Sequence, residues 1–461
     1  MMSSNGRGLV RRHRGKILTS VGIMATLFAS GSVCIYLIKR WLYKQQLKIT
    51  EQHFIREQIR RRFTQTQEDS LFALYELIPV FSMVLAKNLD LEELVIALRD
   101  KKLNKSLGQR SKKTPDNDGM SSGISTSITE MENSETNTAE NKNDLVAQRT
   151  KAELWNELKV KSLVKMITIC YTISSLLLLT RLQLNMLTRR EYLETAIKVA
   201  VEKESSERQN GSLLNWIYGY WKPLKTVDKA GEETKSSKPS AVSKNAYINE
   251  QAFLSLSWWL LNRGWLEYQS VVRENVNKHF GNLNPRDKVT VQEFSDKLTS
   301  VFHDVNANLL NNNKNESLLK NILLPDPTLE DFVLQQTLDP EALKILNEDR
   351  TILRQLLHEA TKCIESTASS IVLETLINES FQFVMEQLEK NVSKKKKSEE
   401  ANDKDESYQI AVFTMSCKEC CSDILKSGMV SMDNSFLSRL DSVVVLDDLS
   451  ASVYSNFGFQ D

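Results

Sequence analysis

The sequence predicts an all-α protein: a single amino-terminal transmembrane helix followed by a large elongated helical bundle with disordered insertions. Three observations carry that prediction. Average usage would place about 32 Gly and about 23 Pro in a chain of this length, whereas its 461 residues hold 15 and 8. So few turn residues argue against β-sandwiches and for long helices. Next, Ile17 to Ile38 runs 22 residues without a charge, enough for about 33 Å of helix against a hydrocarbon core of about 30 Å. Finally, apolar residues recur at helical spacing beyond the span, as in Phe54, Ile55, Ile59 and Phe63, and again in Leu353, Leu356, Leu357 and Ala360.

Taken in order, residues 1–16 form a short basic tail carrying Arg7, Arg11, Arg12, His13, Arg14 and Lys16. The apolar run at 17–38 exceeds the roughly 7 to 15 residues of a secretory signal, although Ala29, Ser30 and Gly31 mimic a cleavage site. A mitochondrial presequence would share the early arginines and the lack of acidic residues before Glu51, but its helix is amphipathic rather than apolar all round. Lys39, Arg40, Lys44 and Lys48 follow the span, so the positive-inside rule gives nearly balanced votes and charge does not set the orientation. These cations either snorkel to phosphates or, as RRHRGK beside a span, form a targeting address.

Residues 39–461 then read as a helical domain. A long helix leaves the membrane, and its apolar pattern continues through Leu71, Leu74 and Ile78 until Pro79. Arg60, Arg61 and Arg62 read as a solvated helix face with ion pairs, with acidic lipid or nucleic acid as the other use. Segments 104–150, 226–245 and 391–405 are rich in polar residues and cannot repay their ordering entropy by burial, so they are expected to be disordered insertions. Met166 to Thr180 is a second charge-free run, closed by Lys165 and Arg181. At about 22 Å it is short for a span, so a buried central helix is expected, a second span being the other reading. The aromatic stretches Leu213–Trp221 and Trp258, Trp259 and Trp265 fit core faces or interface belts, core being the simpler reading. Helix is expected from Thr351 to Glu389, and Val443–Leu449 is too short to assign.

The chemistry points to binding rather than catalysis. Sixty basic against 59 acidic residues give a net charge of +1, so no global field attracts nucleic acid. Phosphate loops, nucleophile elbows and zinc helices are absent from the sequence, and five histidines are few for acid/base work. Cys417, Cys420 and Cys421 lack a fourth ligand and read as buried thiols in a reducing compartment. No catalytic residue, cofactor or metal is expected.

Two stretches go beyond generic pattern: EQIRRRFTQTQEDSLFALYELIPV at Glu57–Val80, and KAELWNELKVKSL continuing to LLLLTRLQLNML at Lys151–Leu187. With the basic cluster and span before them, they resemble the peroxisomal biogenesis factor 3 (peroxin-3) family in its yeast form. That resemblance implies a docking receptor, not an enzyme, single-pass in the peroxisomal membrane with an endoplasmic-reticulum stage during biogenesis. Its tail would be luminal and its bulk cytosolic. It implies capture of peroxisomal biogenesis factor 19, the soluble carrier of newly made membrane proteins, through that carrier's amphipathic amino-terminal helix. It also implies inheritance tethers and pexophagy receptors as partners. In the family the binding groove is marked by a Trp with a Lys four residues before it, which falls on Trp155 and Lys151. A Leu near the end of the preceding helix also marks it, here Leu98. Arg11, Arg12, His13, Arg14 and Lys16 with the span become the targeting segment. From the residues alone Trp155 reads as core, because Leu154 and Leu158 flank it at packing spacing; the resemblance reverses that weighting. The competing class is a signal-anchored tether or scaffold of the endoplasmic reticulum or outer mitochondrial membrane.

Overall fold

The computed structural model describes residues 39–40, 53–110, 149–206, 241–310, 316–396, 407–426 and 433–456. The span at 17–38, the basic residues before it and the aromatic stretch Leu213–Trp221 lie outside the described residues. The chain divides into two compact units, Met1–Gln65 and Thr66–Asp461, and the second holds the core.

Helix α1 (His53–Asn88) does not stop at Pro79. Proline removes one N–H, so the Tyr75 carbonyl one turn back loses its helical partner, at a cost of about 3 kcal/mol. Packing outweighs this, because Leu74, Ile78, Phe81 and Leu85 are fully buried on one face. Burial of such side chains stabilises by about 1.5 to 3 kcal/mol each. Helix α2 (Glu92–Arg110) follows a short turn in which Asp90 Oδ1 accepts the Glu92 N–H at 2.8 Å.

The centre of the unit is α3 (Lys151–Ser206), 56 residues long. Its start is a capping box: Thr150 Oγ1 accepts from the Glu153 N–H at 3.3 Å, and Glu153 Oε2 accepts from the Thr150 N–H at 2.8 Å. The most apolar 18 residues of α3 would suffice to cross a bilayer, yet 94% of them are buried by the protein itself. Its polar residues explain the choice. Ser174 meets Ser380 at 2.9 Å, Ser175 meets Tyr268 at 2.6 Å, and Gln183 donates to the Phe253 carbonyl at 2.7 Å. Lipid would leave such groups unsatisfied, whereas neighbouring helices supply partners. The charge-free run Met166–Thr180 is thus the buried central helix its length predicted. Helix α1 lies antiparallel to it, since Thr66 bonds to Thr188 at 3.1 Å while Lys165 donates to the Leu89 carbonyl, also at 3.1 Å.

The remaining helices wrap α3. They are α4 (Ala241–Ser255), α5 (Ser257–Trp259), α6 (Trp265–Phe280), α7 (Val291–Leu310), α8 (Glu316–Leu323), α9 (Glu330–Thr337), α10 (Pro340–Glu348), α11 (Thr351–Ile364), α12 (Thr367–Lys396), α13 (Ile410–Ile424), α14 (Ser435–Asp441) and α15 (Val444–Ser455). Of these, α6, α12, α13 and α15 share the largest faces with α3. A π-helical turn, Leu260–Gly264, joins α5 to α6, and a side chain at Gly264 would collide with the Ile322 carbonyl. Trp265 is fully buried, whereas Trp258 and Trp259 are half-buried against the core.

Several boundaries differ from the sequence reading. Helix occupies 104–110, 241–245 and 391–396, all inside stretches expected to be disordered. The helix expected from Thr351 breaks at Glu365–Ser366, and the unassigned Val443–Leu449 run lies mostly in α15. Two short strands also pair antiparallel, β1 (Lys288–Thr290) with β2 (Ser407–Gln409), setting Val289 opposite Tyr408. Three residues carry too little alternation to be read from sequence. The fold class stays all-α.

Buried charge pins the carboxy-terminal helices to α3. Arg181 pairs with Asp441 and with Gln67, and lies 3.4 Å from Asp447. Arg189 Nη1 donates to the Val453 carbonyl at 3.0 Å while Nη2 reaches both Glu359 oxygens at 2.5 Å. Cys417, Cys420 and Cys421 are buried, as is Cys170 on α3. Burial pushes the Cys170, Cys420 and Cys421 thiols up, Cys421 to about 12. Among the described residues no three His, Cys, Asp or Glu side chains group to hold a metal ion.

Candidate helix-binding groove

A second apolar cluster stands apart from the main core at the start of α3. Leu91, Leu94 and Leu98 meet Leu154 and Leu158, and Val95, Ala97, Trp155 and Met415 pack half-buried around them. The local cause is spacing: positions 94, 95 and 98 share one face of α2, with Leu91 just before its first residue in the same register, and 154 and 158 share one face of α3. Helix α13 adds Met415 and ties itself to α2 through Lys418 Nζ, 2.8 Å from Glu92 Oε1.

The residues named from the sequence fall as follows. Leu98 is 7% exposed and is the seventh residue of the 19-residue α2 rather than near its end. Trp155 is half-buried on the same cluster. Lys151 is exposed one helical turn before Trp155 and makes no ion pair among the described residues. Leu98 and Trp155 are therefore brought together across 56 residues of sequence, and Lys151 sits at the edge they share. Arg11, Arg12, His13, Arg14 and Lys16 lie outside the described residues.

Charge frames the cluster. Lys101 Nζ donates to the Arg149 carbonyl, joining α2 to the residue before the capping box. Arg149 Nη1 bonds Glu157 Oε2 at 2.5 Å, and Lys161 Nζ meets Glu157 Oε1 at 2.8 Å. Burial acts to raise the Glu157 carboxyl, but Lys161 and Arg149 outweigh it and hold the group below its ordinary value. Ile96, 57% exposed, leaves an apolar side chain of α2 in solvent.

Beneath the site, Lys159 is 1% exposed and donates to the carbonyls of Phe280, at 2.7 Å, and Leu283. Burial pulls its ammonium below the ordinary lysine range, with Asp287 opposing. The first turns of α3 are thereby fixed by the buried Leu154 and Leu158 and by Lys159, one turn after Trp155. Such a surface offers contact chemistry: a large half-buried ring, aliphatic neighbours and an unpaired cation suit the apolar face of an acidic amphipathic helix.

Sequence reasoning named Trp155 and Leu98 but passed over Leu91, Leu94 and Val95, whose i, i+3, i+4 spacing with Leu98 was available. Met415 has no local signal, since it arrives through α13 from far along the chain.

A family model described as Peroxin-3 matches residues 8–456. Peroxisomal biogenesis factor 3 of Kluyveromyces lactis is 46% identical, over 99% of this chain and 100% of the relative. Peroxisomal biogenesis factor 3 of Saccharomyces cerevisiae is 45% identical, over 99% and 97%. The peroxisomal membrane protein PEX3 of Komagataella phaffii is 29% identical, over 98% of each chain.

Proposed function

The chain belongs to the peroxin-3 family, whose members are peroxisome biogenesis factors, and on that premise we propose that it is the membrane docking receptor for peroxisomal biogenesis factor 19. In this reading Ile17–Ile38 is a single span, the tail before it is luminal, and the helical body faces the cytosol. The carrier's amphipathic helix lies over the α2–α3 cluster. One observation carries the reading: Trp155 is left half-buried on an apolar cluster it shares with Leu98, with exposed Lys151 one turn away. Inheritance tethers and pexophagy receptors are further proposed partners, with no residues assigned.

The test is isothermal titration of the full-length protein in nanodiscs with a peptide of the carrier's amino-terminal helix. Trp155→Ala is expected to cost on the order of 2 to 4 kcal/mol of binding with little change in fold, as truncated hot spots do. Equal affinity of wild type and variant would falsify the groove. No binding by a folded wild type would sink the receptor reading in favour of a generic tether.

A further inference from the structure

The outer face of α1 carries an apolar stripe that the protein does not cover. Phe72 is 46% exposed, Val80 38% and Met83 67%. At 100° per residue these three fall within one narrow sector of the helix, opposite the buried Leu74, Ile78, Phe81 and Leu85. Like α3, α1 contains an 18-residue stretch apolar enough to cross a bilayer, but only 33% of that stretch is buried, against 94% in α3. Its apolar content thus exceeds what the core takes up. Scattered exposed apolar residues are ordinary, but three in register on one helix mark a contact surface.

Charge selects the occupant. Glu68, Asp69 and Glu76 are exposed on the same side of α1, around Phe72, and none makes an ion pair among the described residues, while the exposed cations of that face, Arg61 and Lys87, stand at its two ends. The three carboxylates gathered around Phe72 outnumber the cations of this face and oppose an anionic bilayer there, through both headgroup repulsion and desolvation. They suit a cationic partner that leaves their outer edges in water. We infer that the Phe72–Val80–Met83 stripe of α1 is a second docking surface, for a basic amphipathic helix of another protein. The carboxylates around Phe72 contrast in sign with Lys151, the exposed cation one turn from Trp155, so the two surfaces are expected to prefer different ligands.

The experiment uses full-length protein in phosphatidylcholine nanodiscs and a labelled Leu/Lys amphipathic helix as the probe, read by fluorescence anisotropy. A Leu/Glu helix of the same pattern is the control. The Leu/Lys helix should bind and the Leu/Glu helix should not compete. Combining Phe72→Ser with Met83→Ser should weaken binding at least about tenfold, in line with loss of two exposed apolar anchors, with the circular dichroism melt unchanged. Asp69→Lys with Glu76→Lys should transfer preference to the Leu/Glu helix, and Trp155→Ala should leave Leu/Lys binding intact. Wild-type affinity in the Ser variant would overturn the proposal. Probe binding unaffected by charge reversal, together with association of the wild type but not the Ser variant with phosphatidylserine vesicles, would reassign the stripe to lipid.

Discussion

Lys159 Nζ donates a 2.7 Å hydrogen bond to the carbonyl oxygen of Phe280, the last residue of α6, so a buried ammonium closes the end of a helix 121 residues away in sequence. Both the unpaired carbonyls and the macrodipole at a helix carboxyl end favour a cation there. Lys159→Met keeps the apolar stem but orphans the Phe280 and Leu283 carbonyls. It should lower stability by about 2 to 4 kcal/mol, given about 1 to 3 per buried unsatisfied group. Chemical denaturation measures this, and an unshifted midpoint would show that water replaces the ammonium.

Arg189 holds α15 and α11 at once through Val453 and Glu359. Glu359 keeps some solvent access, its side chain being 29% exposed, so it tolerates the loss of its partner better than a sealed carboxylate. Arg189→Met should cost about 2 to 3 kcal/mol. It should also raise amide exchange in 444–455 before the rest of the unit opens; uniform exchange across the unit would contradict this local role.

Asp304 of α7 accepts from Lys278 Nζ at 2.7 Å and meets His279 Nε2 at 2.8 Å. The Lys278 hydrogen bond, followed by that of His279, holds the carboxyl down to about 2. A folded value below the unfolded one, about 3.9, means the unfolded chain binds the extra proton. The contribution is therefore complete above pH of about 4 and fades as pH falls towards about 2. The melting difference between wild type and Asp304→Asn should shrink over that window. A difference independent of pH would assign the effect to hydrogen bonding alone.

Arg11, Arg12 and Arg14 precede the apolar run. Neutral replacements at all three should misroute the protein to other membranes by fluorescence microscopy, with the span still inserting because its hydrophobicity is unchanged. Peroxisomal localisation identical to wild type would make these cations interfacial anchors rather than an address.

Much of this was legible where a single periodicity decided the outcome. The Met166–Thr180 run announced the central helix because apolar residues on all faces, over too short a length to span, leave burial as the remaining solution. Trp155 and Leu98 were found through their resemblance to a family, not through spacing, since Leu154 and Leu158 made Trp155 look like ordinary core. Pro79 misled because local propensity says stop, whereas four core side chains on α1 say continue. Met415, the β1–β2 pair and the Arg189–Glu359 contact join residues far apart in sequence, and local pattern cannot register partners that only tertiary folding supplies.

The antiparallel pairing of α1 with α3 also makes α3 a ruler. The chain enters the larger unit at Thr66, beside Thr188, while Trp155 lies 33 residues towards the other end of the same unbroken helix, a separation of about 50 Å. A ligand seated on Trp155 is held at that fixed distance from the entry point, whatever its own length. Changing the number of turns between Trp155 and Thr188 would alter the reach in steps of about 5.4 Å, but only by re-registering the buried core residues of α3 that lie between them.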